Sequence, residues 1–298
     1  MARLRRRLSG SSEKSNDKRL RPMISLLQYI PKNQFSYLVG KLSRLNLPQP
    51  ISRPVLRWFI KRYGVNVSEA MRPVDEYRNL AEFFIRDLKP GLRPVGKGVV
   101  SPVDGRITEF GLIERGTLLQ VKGKSYTVAE LLCDEKLSQC YQNGFFITIY
   151  LAPPDYHHVH SPVAGIICEM HYIPGTLWPV NEQSVQKIEK LFTVNERVAT
   201  VIETGRGRVT VVKVGAMNVG SISLGYDTLI SNRELWGKRE IVHRCYATGI
   251  TVKKGDRIGT FNLGSTVILL FEAGKFVPGA AVTTGPVKLG VSISGEDS

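Results

Sequence analysis

The chain has 298 residues, of which 42% are hydrophobic and 22% are charged. This length allows one large domain or two modest ones with a sufficient apolar core, so a small fold that depends on disulfides or metals is excluded. The 41 Lys and Arg residues outnumber the 26 Asp and Glu residues, which gives a net charge of +15 at pH 7. Such an excess is typical of a chain with a nucleic-acid partner, an anionic membrane partner or a solvated basic tail.

The four cysteines show neither a CxxC pair nor the spacing to histidines that a metal site requires. They are Cys133, Cys140, Cys168 and Cys245. We therefore expect reduced, mostly buried thiols in a reducing compartment, and no metal ion.

Residues 1–22 are rich in Arg, Ser and Lys and poor in apolar residues, which predicts a disordered basic extension. Arg3, Arg5, Arg6 and Arg7 are typical of the start of a signal peptide. Because no apolar stretch follows them directly, we expect no cleaved signal; either Met23 is the true start or residues 1–22 are a dispensable extension.

Residues 23–64 are predicted to form short amphipathic helices. Apolar residues recur there at helical spacing in two segments, Phe35, Leu38, Val39, Leu42 and Leu45 and then Val55, Leu56, Phe59, Ile60 and Tyr63, with Pro48, Pro50 and Pro54 expected to break the helix between them. The ten basic residues from Lys18 to Ser68 are accompanied by no Asp or Glu. No segment reaches the roughly 18 continuous apolar residues of a spanning helix.

These stripes have two interpretations. They either pack onto the protein's own core or lie in a lipid interface, and the absence of acidic residues favours an anionic membrane surface. A nucleic acid is disfavoured because no recognition module accompanies the charge.

Residues 65–298 are predicted to form a catalytic β-rich domain. A helix is expected over Leu80–Leu88, followed by strands separated by Gly, Pro and Asn turns. The strand candidates are Ile107–Ile113, Thr117–Val121, Phe145–Leu151, Gly165–Ile173, Ala199–Glu203, Arg208–Val214, Ser221–Leu224, Gly249–Val252 and Val267–Phe271. The predicted fold class is α+β, with N-terminal helices before a mainly antiparallel β-sandwich or barrel-like domain.

Three motifs in this domain bring together side chains that can do chemistry. They are Ser101-Pro102-Val103-Asp104-Gly105-Arg106, Asp155-Tyr156-His157-His158-Val159-His160-Ser161-Pro162 and Leu263-Gly264-Ser265-Thr266. Local physics alone predicts a tight turn into a buried strand at Ser265, and an Asp104 that bonds nearby backbone amides.

Asp104, His160 and Ser265 also occur in the chain order of a nucleophile triad, which would suit a serine hydrolase. The GxSxG turn of such enzymes is missing, however. Gly264 suits a different reaction, because without a side chain it lets the Ser265 hydroxyl approach the preceding carbonyl carbon.

Together the three motifs resemble the signature set of phosphatidylserine decarboxylase proenzymes of the bacterial and mitochondrial type. The similarity runs from about Ile24 to about Gly274. It implies a peripheral membrane protein on the cytoplasmic face of the bacterial inner membrane, acting in phospholipid biosynthesis.

The resemblance implies that Ser265 attacks the Gly264 carbonyl, so that the chain cleaves itself into a large chain, 1–264, and a small chain, 265–298. The two chains would form a heterodimer. Residue 265 becomes a covalent pyruvoyl cofactor, which forms a Schiff base with the amine of phosphatidylserine and accepts electrons as carbon dioxide leaves.

The resemblance also implies separate roles for the clustered residues. His160 matches the cleavage base, with Asp104 orienting it, and His157 matches the histidine of decarboxylation. Asp155 and Thr266 are possible helpers.

The remaining histidines are assigned no catalytic role. His158 is expected to be a solvated cation, and His171 and His243 are expected to be structural. Two rivals remain open, a serine hydrolase that leaves the chain intact and a binding module, because Lys253–Gly259 resembles turns of lipoyl-type domains.

Overall fold

The computed structural model describes residues 31–120, 124–217, 221–232, 239–262 and 265–295. The predicted extension 1–22, the start of the predicted amphipathic segment up to residue 30, and the predicted cleavage residue Gly264 all lie outside the described residues.

The N-terminal part of the described chain is helical. It contains α1 (Lys32–Ser43), α2 (Gln49–Tyr63) and α3 (Leu80–Phe84), with 3₁₀ turns at Val67–Glu69 and Val74–Glu76. The prediction that Pro54 breaks the helix is wrong, because α2 begins at Gln49 and carries Pro54 inside it. Gly64, at φ 66°, ends α2 in the left-handed conformation that glycine adopts without strain. Helix α3 stops at Phe84, four residues before the predicted end at Leu88.

Helix α2 is held by one side only. Leu56 and Phe59 are buried against Phe83 and Phe84 of α3 and against Tyr77. The opposite side leaves apolar residues in solvent, most of all Trp58 at 60% exposure. In the part of the chain that the structure describes, no helix is long and apolar enough to cross a membrane.

The rest of the described chain consists of strands and four short helices. The strands are β1 (Gly105–Leu112), β2 (Thr117–Leu119), β3 (Ser125–Thr127), β4 (Phe145–Leu151), β5 (His158–His160), β6 (Gly165–Ile173), β7 (Arg197–Thr204), β8 (Gly207–Gly215), β9 (Ile222–Leu224), β10 (Val242–Val252), β11 (Arg257–Phe261), β12 (Ser265–Phe271) and β13 (Gly285–Val287). The helices are α4 (Val128–Leu132), α5 (Glu135–Gln139), α6 (Glu182–Lys187) and α7 (Leu191–Val194).

Eight strands form one antiparallel sheet in the order β10-β6-β7-β8-β12-β4-β1-β13. The described strands β10 and β13 are its two edges, so the sheet is open rather than closed into a barrel. A three-stranded sheet, β5-β11-β9, and a β2-β3 hairpin complete the described strands. The α+β class predicted from the sequence is confirmed.

The two faces of the large sheet support two cores. Side chains alternate along strands, so Val267 and Leu269 of β12 pack with Val159 and Ile258 of the three-stranded sheet. Ile268 and Leu270 face the other way and pack under α4, α5, α6 and α7. The result is a strand layer, the large sheet and a helical layer, with β12 near the centre.

All seven residues of β12 are buried. Its first residue, Ser265, lies opposite Gly215 of β8 and Leu151 of β4. The apolar run predicted as a core strand therefore places Ser265 at the first position of a fully buried strand.

Candidate active site

Ser265 and Thr266 place two hydroxyl groups inside the protein without partners. Both residues are buried, and neither side-chain oxygen has a hydrogen-bond partner among the described residues. A buried hydroxyl without a partner costs about 1–3 kcal/mol, so such a group calls for an explanation in function.

The histidine segment contacts β11, the last strand before β12. The backbone N–H of Phe261, four residues before Ser265, donates to the carbonyl of His157 at 2.9 Å. His158–His160 form β5, which pairs with β11. Strand β11, which ends at Phe261, therefore runs beside β5, the strand that contains His158 and His160.

His157 is fully buried and presents a free nitrogen. Its Nδ1 lies 2.8 Å from the carbonyl oxygen of Asp155, which can only accept, so Nδ1 carries the proton and Nε2 carries the lone pair. Nε2 has no partner among the described residues. Burial lowers the pKa of His157 to about 3, so the ring is neutral at pH 7 and its Nε2 can accept a hydrogen bond.

His160 has both ring nitrogens engaged. Nδ1 donates to the Gly255 carbonyl at 2.7 Å, and Nε2 lies 3.2 Å from the hydroxyl of Tyr156. Burial lowers the pKa of His160 as well. The residue lines a cavity of about 410 Å³ that also includes Arg93 and Arg257.

Asp104 is a buried anion held by several donors. Arg93 donates to both of its oxygens, at 2.8 and 2.6 Å, and the Leu289 amide donates at 2.9 Å. Lys288 contributes a further contact at 3.2 Å. Burial would raise the pKa of Asp104, but the hydrogen bonds of Arg93 and Leu289 and the charge of Lys288 lower it below its usual value.

Among the described residues, no hydrogen bond or ion pair joins Asp104, His160 and Ser265. The roles predicted for these three residues therefore stay predictions.

Asp155 is hydrogen-bonded to the residue that follows β4, the strand paired with Ser265. It accepts from the Ala152 amide at 2.8 Å, and Ala152 directly follows Leu151, the residue opposite Ser265. Burial raises the pKa of Asp155.

The expectation that His158 is a solvated cation is wrong. His158 is buried, and its ring bridges the Ile85 carbonyl and the Thr260 hydroxyl at 2.8 Å each. Burial lowers its pKa to about 4, so the ring is neutral at pH 7. His158 therefore connects the end of α3 to β5 and β11 through hydrogen bonds. The prediction of mostly buried thiols is also wrong, since Cys133 and Cys245 are exposed and the other two are half-buried.

Arg86 is a residue at the site that no motif indicates. It is buried and donates to the Pro154 carbonyl at 2.6 Å, in the loop that leads to Asp155 and His157. Its guanidinium also lies over the ring of Phe83. Arg86, two residues after α3, therefore holds the loop of the histidine motif in place. Sequence spacing gives no signal for this contact.

A second cavity has a volume of about 450 Å³. Lys41 of α1 and Arg44, the residue after α1, line it together with Asn262 and Ser221. Arg44 contacts the Ser221 hydroxyl at 3.4 Å, and Asn262 donates to the same oxygen at 2.9 Å. A basic cavity thus reaches the residues just before the predicted cleavage point.

Comparisons with known proteins agree on one family. The sequence model of the family described as phosphatidylserine decarboxylase matches residues 80–294. The phosphatidylserine decarboxylase proenzyme of Anaeromyxobacter sp. (strain K) is 45% identical over 274 residues, which cover 89% of this chain and 96% of that protein. The proenzymes of Myxococcus xanthus and Brevibacillus brevis are 46% and 41% identical and cover 84% and 87% of this chain, and 89% and 92% of their own lengths.

Proposed function

The chain belongs to the phosphatidylserine decarboxylase family, and we propose that it matures by cleaving itself between Gly264 and Ser265. Its activity is the removal of the serine carboxylate of phosphatidylserine as carbon dioxide, which leaves phosphatidylethanolamine. The observation that carries the self-cleavage proposal is the buried Ser265 hydroxyl without a partner, at the start of the central strand.

The cleavage uses only this chain and water. The Ser265 oxygen attacks the Gly264 carbonyl carbon as a base takes its proton, and the peptide bond becomes an ester. Loss of the Ser265 α-proton then expels Gly264 as a carboxylate and leaves dehydroalanine. Tautomerisation and hydrolysis release ammonia and give a pyruvoyl group at residue 265, on a small chain of residues 265–298.

The surroundings of residue 265 fit such a group. The buried Thr266 hydroxyl next to it and the His157 Nε2 have no partners among the described residues, so these polar atoms are available without breaking existing bonds. The pyruvoyl ketone supplies the electron sink for decarboxylation. We assign to His157, whose Nε2 has no partner among the described residues, the handling of the proton that the product carbon needs.

We assign the cleavage base to His160 and its electrostatic support to Asp104. His160 already has the tautomer of a base, since Nδ1–H is held by the Gly255 carbonyl and Nε2 carries the lone pair. To act on Ser265, this Nε2 must leave the Tyr156 hydroxyl. We assign helper roles to Thr266, whose buried hydroxyl has no partner among the described residues, and to Asp155.

The basic cavity beside Asn262 suits the phosphodiester of the substrate. Lys41 and Arg44 supply positive charge there, and the Ser221 and Asn262 side chains supply hydrogen bonds. A phosphodiester in this cavity would present the serine amine toward residue 265.

We further propose that α1 and α2 lie in an anionic membrane interface. They leave a set of apolar side chains in solvent, namely Phe35, Leu38, Leu42, Leu45, Ile51, Val55 and Trp58, with exposures from 39% to 64%. Basic residues flank these side chains, and the segment has no acid to repel anionic lipid.

An intact-mass measurement tests the self-cleavage. The purified protein should consist of two chains, with a small chain of residues 265–298 whose amino terminus resists sequencing, because a ketone replaces the amine. Ser265→Ala should remain a single chain. An uncut, active wild type that a fluorophosphonate labels at Ser265 would instead indicate a serine hydrolase.

Vesicle binding tests the membrane surface. Binding should require anionic lipid and weaken as salt rises, since salt screens the attraction. Leu42→Ser should weaken binding, whereas Leu112→Ser should not, although the two leucines are equally exposed at 64% and 63%. Equal binding of neutral and anionic vesicles at all salt concentrations would contradict the proposal.

A further inference from the structure

Three side chains distant in sequence meet at the far edge of the large sheet. His243 of β10 lies directly opposite His171 of β6, and their ring centroids are 4.1 Å apart. Asp134, the residue before α5, points at the same place. One ligand atom of each residue lies within 4.8 Å of the others.

The His171 ring presents a lone pair to this point. Its Nε2 lies 3.0 Å from a Glu169 carboxylate oxygen, and a carboxylate only accepts, so Nε2 carries the proton and Nδ1 carries the lone pair. His171 is 2% exposed, and Nδ1 has no hydrogen-bond partner among the described residues.

Asp134 offers the complementary oxygen. Its Oδ1 accepts from the Leu137 amide at 2.8 Å, which fixes the side chain at the start of α5. Its Oδ2 lies 4.0 Å from His171 Nδ1. That separation is too long for a hydrogen bond.

A metal ion fits this spacing better. Two bonds of about 2.0–2.2 Å, the lengths of Zn–N and Zn–O bonds, span nearly this distance, and a tetrahedral ion would draw the two atoms together by roughly 0.6 Å. His243 is exposed and can rotate to complete the set.

We propose that Asp134, His171 and His243 bind one divalent transition-metal ion of the zinc class, with Glu169 orienting His171 through its Nε2–H. Water from the exposed side would complete a four-coordinate site.

The position of the site gives it a structural role. Strand β6 is three strands from β12, roughly 14 Å at the usual strand spacing, so the ion does not reach Ser265. It joins the edge strand β10 to β6 and to α5.

Zinc titration of the full-length protein tests the proposal. The chain, without a histidine tag and freed of metal with a chelator, should bind Zn²⁺ and unfold at a higher temperature when Zn²⁺ is present. His243→Ala and Asp134→Asn should each lose one equivalent of Zn²⁺ and the rise in unfolding temperature. Asparagine keeps the cap on α5, so Asp134→Asn is expected to fold.

The matched control is Glu135→Gln, which removes the adjacent exposed negative charge without touching the site. It should bind Zn²⁺ as the wild type does. Glu169→Gln should weaken binding by about 10- to 100-fold, because it alters the group that orients His171. Any Zn²⁺ that binds to His157 or His160 binds equally to the wild type and to every variant. It therefore does not affect the difference in Zn²⁺ binding between them.

Cobalt adds a spectroscopic readout. Co²⁺ in a four-coordinate site should give visible absorption that His243→Ala abolishes. The proposal is wrong if His243→Ala and Asp134→Asn bind Zn²⁺ with the stoichiometry and affinity of the wild type, or if Zn²⁺ leaves the unfolding temperature of the wild type unchanged. Neither result bears on self-cleavage, which the mass measurement decides separately.

Discussion

Two buried polar regions lie on either side of β8, and they differ in how completely their atoms are paired. In the first, the Arg197 network, all five N–H donors of a fully buried guanidinium have acceptors. They are the carbonyls of Glu130, Leu131, Thr193 and Asn195 and the thiol of Cys133. In the second, the Ser265 end of β12, two hydroxyls and the His157 Nε2 have none among the described residues.

We interpret the difference as one between a structural region and the proposed reactive one. A buried network in which every group is hydrogen-bonded fixes one arrangement of the chain. Its groups have no free donor or acceptor for a reaction. Unpaired groups raise the free energy of the folded state, and they persist where a reaction or a ligand uses them. The Arg197 network holds β7 against α4 and α7, and so provides a rigid frame for the Ser265 end.

The largest effects are expected from the two histidines at the Ser265 end. His160→Ala should remain full-length, because its base is missing, and should have no decarboxylase activity. His157→Ala should mature into two chains yet decarboxylate about 10²- to 10⁴-fold more slowly, because the group that handles the proton is gone. A gel and a carbon dioxide release assay on each purified variant measure the two steps.

His158→Gln is the control for this pair, because His158 belongs to the same segment but has a structural role. It should mature and remain active. If His157→Ala blocks cleavage while His160→Ala matures, the two roles are reversed. If both variants mature and remain active, the unpaired groups do not mark the reactive region and the comparison fails.

The Arg197 network should respond in stability rather than in chemistry. Arg197→Met leaves several buried carbonyls without donors, so the free energy of unfolding should fall by at least about 3 kcal/mol. Urea unfolding in a Ser265→Ala background, which stays a single chain, measures it. Arg206→Met, on an exposed loop, should change stability by less than about 0.5 kcal/mol. A similar small change at Arg197 would mean that the network is not structural.

The sequence predicted the central strand well, because Val267–Phe271 is an apolar, β-branched run with no competing pattern. It also indicated Asp104, His157, His160 and Ser265, because those residues sit in compact motifs. What it missed depends on tertiary contacts. Gly249–Val252 was predicted as a strand, but β10 begins at Val242, since residues 242–248 mix charged, polar and aromatic side chains without a clear alternation.

The pairing of His171 with His243 could not be predicted from the sequence for the same reason. Pairing of β10 with β6 brings them together, and 72 residues of sequence separate them, so no spacing motif exists. Burial was also beyond the sequence at His158, whose bonds to Ile85 and Thr260 come from elements that are distant in the chain.

Lys213 lies on β8, the strand between the two regions, and we expect it to make the stability of the protein depend on pH. It is fully buried on β8, and its ammonium group donates to the Thr200 hydroxyl at 2.5 Å. Burial lowers its pKa from 10.5 to about 7. Between these values the unfolded chain binds a proton that the folded chain does not, so stability rises with pH in that window and levels off below about 7.

The expected slope from Lys213 is about 1.4 kcal/mol per pH unit between pH 7 and 10. Lys213→Met should remove this contribution, so the difference in unfolding free energy between the two proteins should change steadily across the window. Urea unfolding at several pH values, again in the Ser265→Ala background, measures it. A difference that stays constant with pH would show that Lys213 keeps its charge when buried.

The smallest effect is expected at Arg44, on the substrate side of the Ser265 end. Arg44→Gln removes one positive charge from the cavity beside Asn262, so KM should rise by about 10-fold while kcat is unchanged, as for a contact made equally in the bound substrate and the transition state. A short-chain, water-soluble phosphatidylserine separates this contact from membrane binding. Arg62→Gln, an exposed basic residue of α2 outside the cavity, should leave KM unchanged with that substrate. If both variants raise KM equally, the basic residues attract the substrate through the charge of the whole surface. The cavity beside Asn262 would then not be a specific phosphate site.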